Sequence, residues 1–498
     1  MADFNVASTA VLAILVTVLL AYISIILFFA PTYDPREPPV LPQYIPAKNS
    51  HLPIFTLQTL NRRTYIVGSP DLVSAVDRNQ KTISFLPFVS ALSPRLLNVP
   101  KNGHAMNIIT QNITLEDGDW GLVHDTSKGM HAALAPGANL DRMNQTMLGI
   151  MEGYFDDLAK GDAVIDLYEW IRPRFSIAST EAIYGSGNPF KHQKTLGNDF
   201  WDLDTDLTKI LIGVLPRYLA SKGWRARERL VKALTAYFNR GDDKDGLGVL
   251  TVRRDIGKKY GATNEEISRF ELGDAIGVLV NATPTLFWTL IYVYSHPSLL
   301  EEIRSEVANF MIPQSFSDGS PRHVLDITKL QDACPLLVST YREMLRTRTR
   351  ASTSRWVTED TMLANQYLLR KDSALLVPGA LIHADPIWGP DAKDFNPRRF
   401  IGKSDVKSGA NRTWGGGQTL CPGRFFATTE ITSSVAMMVA RFDLQPMDKG
   451  GKLAVPEPNT SSVASSIHPP KNDVRVTVTE RPEYKGHRWA FRYADGLN

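Results

Sequence analysis

The chain has 498 residues, of which 43% are hydrophobic, enough to bury a large core. A net charge of +3 with 21% charged residues, and no clustered basic run, argues against nucleic acid as a partner. Two cysteines, Cys334 and Cys421, cannot build a disulfide framework, and neither lies in a Cys or His cluster of zinc spacing; the soluble part is expected to face a reducing compartment.

In chain order, residues 7–30 (ASTAVLAILVTVLLAYISIILFFA) carry no charge and exceed the roughly 20 residues that cross a bilayer, which predicts a transmembrane anchor over 1–30. A cleaved signal peptide fits less well, because the start carries only Asp3 and the apolar run is long. Arg36 and Lys48 follow the span and no Lys or Arg precedes it, which puts the body on the cytoplasmic side of the membrane. Residues 31–50 hold six prolines within 31–46 and predict a stiff, extended connector.

IFTLQTL and TYIVGSP, separated by NRR, predict a hairpin, and PDLVSAVDRNQ a helix opening on proline. Residues 85–118 read as irregular, and helical periodicity dominates 125–310, with GDDKDGLG at 241–248 as an exposed loop. Further on come a helix through Arg346, short strands around RWVTED and ALLVP, coil to Gly417, a helix over 422–440 and a last sheet around VRVTV. Residues 51–498 are thus expected to form one large domain, mainly α with a minor β-sheet component.

The stretch WGGGQTLCPGRFFA (414–427) isolates Cys421 among glycines and a Pro-Gly pair. A core cysteine rarely has such neighbours; a nucleophile lacks a local His signature, and a phosphate loop lacks the following Lys-Ser/Thr. An axial thiolate ligand to haem iron is the reading that remains. Glycines let backbone N–H groups approach the sulfur, and a helix opening at Pro422 points its positive end at the thiolate.

With these residues the sequence resembles the cytochrome P-450 family of haem-thiolate monooxygenases. The match to its cysteine loop consists of Trp414, where Phe is more usual, then Gly417, Cys421, Gly423 and Ala427. YREMLR places Glu343 and Arg346 on one helix face, and DFNPRRF supplies Arg399; the resemblance implies that the three form a buried structural triad. HADP (383–386) also matches, and RWVTED puts Arg355 where the family binds a haem propionate. The implied cofactor is haem b, with Cys421 as metal ligand and Arg355, Trp414, Gly417 and Gly423 around it. The implied partner is an NADPH-cytochrome P-450 reductase; Arg412 and Arg424, beside the loop, are candidates for a basic docking face or ordinary surface arginines. The implied location is the endoplasmic reticulum membrane, single-pass.

The chain departs from the family pattern in two places. The Trp-x-x-x-Arg expected before ALAPG is replaced by Ser127 and His131, which leaves His131 as a candidate propionate donor beside an ordinary surface role, and Thr419 stands where a propionate-binding Arg or His is frequent. In the long central helix the acid-Thr pair that delivers protons to dioxygen is replaced by Val280 and Asn281. Thr283 is a shifted hydroxyl candidate, and Pro284 removes the N–H for the Val280 carbonyl and predicts a kink. Asn281 and Thr283 are therefore the expected residues of the oxygen site. NATPTLFW resembles the branch containing cholesterol 7α-hydroxylase and prostacyclin synthase, and the loop resembles fungal secondary-metabolism members. The resemblance implies a monooxygenase acting on a large apolar terpenoid, meroterpenoid or steroid. It also leaves open an isomerase that rearranges a peroxide without dioxygen or NADPH, and a membrane-anchored haem or lipid binder. The expected pocket walls are 85–118, 349–354 and 461–467.

Overall fold

The computed structural model describes residues 16–17, 34–41, 52–59, 62–315, 321–402, 406–407, 409–447, 451, 453–461 and 465–493. The apolar stretch 7–30 therefore lies outside the described residues except at 16–17, and the connector 31–50 except at 34–41.

Those eight connector residues do not extend away from the body. A turn at Asp34–Glu37 brings the buried Glu37 carboxylate to Arg63 (3.1 Å) and Arg370 (3.3 Å), and the Thr56 N–H donates to the Pro39 carbonyl at 2.8 Å. A carboxylate that meets two guanidinium groups and a free strand edge outweighs the stiffness of the prolines, so this part of the connector docks on the sheet.

Ile54–Thr59 and Arg62–Val67 form the expected hairpin, paired from Ile54 opposite Val67 to Thr59 opposite Arg62. Ser373–Pro378 continues the sheet parallel to the second strand, followed by Ser352–Val357 and the short Ile83–Ser84. This sheet carries one buried apolar cluster, built from Tyr65, Val67, Ile83, Leu375 and neighbours. Among the described residues, two three-stranded sheets and one two-stranded ribbon complete the minor β component.

The larger apolar cluster is helical, and its axis is Asn264–Tyr294. Thr263 starts this 31-residue helix with a capping box: its Oγ1 accepts from the Glu266 N–H, while the Glu266 carboxylate accepts from the Thr263 N–H. Among the described residues it is the helix long and apolar enough to cross a bilayer, yet 78% of its most apolar window is buried in protein, so it is a core helix. It runs through Pro284 as one uninterrupted helix. Around it pack Leu167–Tyr184, Ser221–Arg240, Pro335–Arg348 and Arg424–Arg441.

Two stretches differ from expectation. Residues 85–118, read as irregular, contain the helices Leu86–Leu97 and His104–Thr110. Pro87 and Pro94 interrupt the apolar period of the first, although proline is tolerated in a first turn and near a helix end. The helix after the cysteine begins at Arg424 with Gly423 as its N-cap, two residues later than expected, because Pro422 and Gly423 form a turn.

Candidate active site

Cys421 sits where the loop 412–423 meets Arg424–Arg441. Its N–H donates to the Trp414 carbonyl at 2.8 Å, which closes the loop, and the Arg424 guanidinium returns to the Cys421 carbonyl at 3.0 Å. The loop depends on absent side chains. Gly417 has φ 54, and a Cβ there would come within 2.9 Å of an Asp77 carboxylate oxygen; a Cβ at Gly416 would overlap the Arg412 guanidinium at 2.1 Å.

Burial raises the Cys421 thiol pKa; the backbone N–H groups of Gly423 and Arg424 and the Arg424 charge oppose this, and the balance is still upward. A coordinated cation would favour the thiolate further. Cys334, by contrast, is buried and pushed up to about 12 by desolvation, the signature of an inert core thiol.

Cys421 opens into a cavity of about 470 Å³. Trp414, Pro422, Gly423 and Phe426 surround it on the cysteine side; Gly277, Asn281, Ala282 and Thr285 of the central helix form the opposite wall. Of the expected pocket segments, Phe85, Ala351–Ser354, Ser466 and Ile467 reach the cavity, while the rest of 85–118 does not.

The basic wall differs from the prediction. Arg412, expected on an exposed docking face, is 5% exposed and lines the cavity. It ion-pairs with Asp77 at 2.6 Å, and its Nε is buried without a hydrogen-bond partner. Arg355 lies one layer behind, donating to the carbonyls of Ser354 and Gly416 and to Thr419 Oγ1 at 3.0 Å. Burial lowers its pKa to about 10, while Asp77, 3.9 Å away, and Arg412 act in opposite directions. Two buried guanidinium groups thus share one carboxylate, a surplus of positive charge that burial makes costly without an anion beside it. The orphaned Arg412 Nε and this surplus fit a group carrying carboxylates, as haem b does. His131 is not brought to this wall: Met130 of its helix and Leu134 just after it line the cavity, and His131 Nδ1 is 2.8 Å from the Ser127 carbonyl. Gly417 stays outside the lining and Gly423 is within it.

On the central helix the structure separates the two expected residues. Asn281 lines the cavity; Thr283 is fully buried and does not, because two helical positions turn a side chain to the far face. Thr285, one turn on from Asn281, takes the cavity position, and its hydroxyl donates to the Asn281 carbonyl at 2.6 Å. Asn281 Oδ1 accepts from the Ser466 N–H at 2.8 Å and the Ile467 N–H at 3.3 Å. The amide nitrogen, on the other arm of the same planar group, is then left for the cavity.

Glu343, Arg346 and Arg399 meet in the interior, each 5% exposed or less. Glu343 accepts from Arg346 Nε at 2.7 Å and Nη2 at 2.8 Å, from Arg399 Nε at 3.0 Å and from the Asn396 N–H at 3.0 Å. Arg399 also pairs with Asp391 at 2.9 Å, which holds that carboxyl down at about 2, so the four charges balance.

Residues 240–476 match the family described as Cytochrome P-450. The chain is 33% identical over 459 residues to "Cytochrome P-450 monooxygenase nodJ" of Hypoxylon pulicicidum, covering 89% of this chain and 86% of the relative. It is 27% identical over 405 residues to "25-hydroxycholesterol 7-alpha-hydroxylase" of Rattus norvegicus, 75% of this chain and 91% of that one. A retinoic acid-bound cyanobacterial P-450 structure superposes with a TM-score of 0.66 at 20% identity, over 86% of this chain and 92% of the other, and so shares the mainly helical fold. The chain belongs to the cytochrome P-450 family. Its activity is that of a P-450 monooxygenase, and the isomerase and binder readings are set aside.

Proposed function

We propose that this monooxygenase inserts one atom of dioxygen into a large apolar terpenoid, meroterpenoid or steroid, with electrons from an NADPH-cytochrome P-450 reductase. The observation that carries the reading is a single cysteine opening into a cavity between an arginine-bearing loop and a helix face of small residues. Cys421, Arg412 and Arg355 are the residues that would hold haem b, which would supply dioxygen activation, favoured by electron donation from a thiolate.

The chain's own groups have separate tasks. The N–H groups of Gly423 and Arg424 moderate the charge on sulfur, and Trp414 and Phe426 exclude water on that side. Gly273 and Gly277 leave room for a bulky substrate: a Cβ at Gly277 would meet nothing within 4 Å. Asn281 and Thr285 present an amide and a hydroxyl to the reacting space, and Glu343, Arg346 and Arg399 hold the framework behind the loop. The apolar lining supports a hydrophobic substrate, as do relatives whose names include sterol hydroxylases.

The anchor over 1–30, the connector over 31–50 and the catalytic body over 51–498 fit single-pass attachment to the endoplasmic reticulum membrane with the body cytoplasmic. A second contact supports it: Ile212, Val214, Leu215, Tyr218 and Leu219 form one apolar tip, each between 59% and 79% exposed.

Two measurements test the reading. The reduced protein with carbon monoxide gives the red-shifted Soret band of thiolate ligation, and Cys421→His abolishes it; a band retained in that variant overturns the ligand assignment. With reductase, NADPH and labelled dioxygen, terpenoid and steroid candidates gain one labelled oxygen, whereas turnover of a hydroperoxide without either reagent overturns the reaction.

A further inference from the structure

The cavity has a polar end that the site above does not use. Arg253, on Gly248–Lys259, is 7% exposed and lines it. Its Nε and Nη2 each donate to a Glu271 carboxylate oxygen at 2.7 Å, so one acid already neutralises the guanidinium. A second acid, Asp274, approaches the same Nε at 3.2 Å. Tyr184 OH, from the end of Leu167–Tyr184, donates to Glu271 at 3.5 Å.

Asp274 is the member of this group that can act on the cavity. Glu271 is 1% exposed, whereas the Asp274 side chain is 28% exposed and lines the cavity, so its open surface is cavity surface. Asp274, Val278, Asn281 and Thr285 recur at helical spacing on one face of the central helix, and all four line the cavity. Between Asp274 and Asn281 stands Gly277, with open space where a side chain would be. Seven residues rise about 10 Å along a helix, a gap that two or three hydrogen-bonded waters at about 2.8 Å can span.

Charge balance decides where a proton resides. One buried guanidinium with two ionised carboxylates has a net charge of −1, and burial favours the neutral set that carries one further proton. Glu271 is tied to Arg253 by two hydrogen bonds of 2.7 Å, whereas Asp274 makes one contact at 3.2 Å and faces the cavity, so Asp274 is the acid placed to take up and release that proton. Desolvation accordingly raises Asp274 to about 6, against the attraction of Arg253 and with the repulsion of Glu271. Of the other titratable groups on the wall, Arg412 and Cys421 belong to the cysteine loop, and Glu430 is held at about 8 by burial, with the Ser179 hydroxyl donating to it.

We propose that Asp274 is the proton-holding residue of this oxygenase, passing a proton along the Gly277 face of the central helix through cavity water to the space beside Asn281. The role rests on the monooxygenase reading and takes the place of the acid missing at Val280. In the transfer, the O–H bond of the Asp274 carboxyl breaks as one forms to cavity water. The carboxylate left behind is held by Arg253 Nε and is reprotonated by water entering the cavity. Each turnover consumes two such protons and two reductase electrons with one dioxygen, one oxygen atom going to substrate and the other to water.

Asp274→Asn keeps the shape and neutrality of the protonated acid and removes the transferable proton. The holoenzyme variant is expected to keep the carbon monoxide spectrum and the substrate-binding spectral change, to go on oxidising NADPH, and to lose product per NADPH about tenfold as hydrogen peroxide rises. Asp274→Glu restores coupling. Independently of turnover, infrared titration of the resting holoenzyme should show a protonated-carboxyl band that disappears near pH 6 in the wild type and is absent in Asp274→Asn. Unchanged coupling, a titrating band retained in Asp274→Asn, or a defect confined to substrate affinity overturns the proposal. If the Asn variant does not fold, the wild-type titration and Asp274→Glu decide: no band near pH 6, or no coupling in the Glu variant, overturns it. If the wild type consumes no NADPH, the monooxygenase reading falls instead, and the infrared titration still judges Asp274.

Discussion

Removal of Glu343 should cost more than removal of either arginine it binds, and the geometry says why. Glu343 accepts four hydrogen bonds, three of them from guanidinium groups, and is the sole carboxylate on Arg346. Glu343→Ala leaves Arg346 buried with only the carbonyls of His383, Ala392 and Asp394, an uncompensated charge worth about 3–5 kcal/mol. Arg399→Ala leaves Glu343 paired with Arg346, and it frees Asp391, whose side chain is 39% exposed and can turn to water. Its cost should be nearer the ~1.5–3 kcal/mol of lost charge-assisted hydrogen bonds. Against a total stability of roughly 5–15 kcal/mol, the first change removes at least about a fifth and the second at least about a tenth. The assay follows the carbon monoxide signal through a urea titration of each purified holoprotein, with the yield of holoprotein as a second readout. Equal damage from Arg399→Ala and Glu343→Ala, or a Glu343→Ala midpoint within error of wild type, would refute the reasoning.

Asn281→Leu strands the N–H groups of Ser466 and Ile467 at about 1–3 kcal/mol each, so substrate affinity by spectral titration should fall roughly tenfold. Thr285→Val should alter coupling or product distribution while Thr283→Val leaves both unchanged, because only Thr285 lines the cavity; the reverse result would move the oxygen site. Glu430 has a folded pKa of about 8, above the usual carboxylate value, so the folded chain holds a proton that the unfolded chain releases. Stability should therefore fall as pH rises from about 4.5 to 8, and Glu430→Gln should flatten that slope and gain up to about 3 kcal/mol at pH 7; a wild-type melting temperature flat over this range would contradict it.

Features defined by short spacing were legible in the sequence: the hairpin around NRR, the Glu343 and Arg346 pair three residues apart, and the glycine loop around Cys421. What escaped depends on direction or on distant partners. Thr283 was chosen by proximity to Asn281, whereas a residue four positions away shares a helix face and one two positions away does not. Arg412 looked like a surface charge; the missing side chain at Gly416 was the available sign that something large lies against the loop. The Arg253 set joins residues 18 and 21 positions apart on two helices, and its one sequence mark was a pair of acids, Glu271 and Asp274, three apart and the last charges before the uncharged remainder of the helix.

The wall on which Arg355 and Arg412 share Asp77 bears on how the protein accumulates in a cell. A chain lacking its cofactor carries an unmatched cation against the glycine loop, so the loop gains its full stability only when a carboxylate-bearing ligand arrives. Folding and loading would then be one equilibrium, in which the amount of folded enzyme would follow the supply of that ligand.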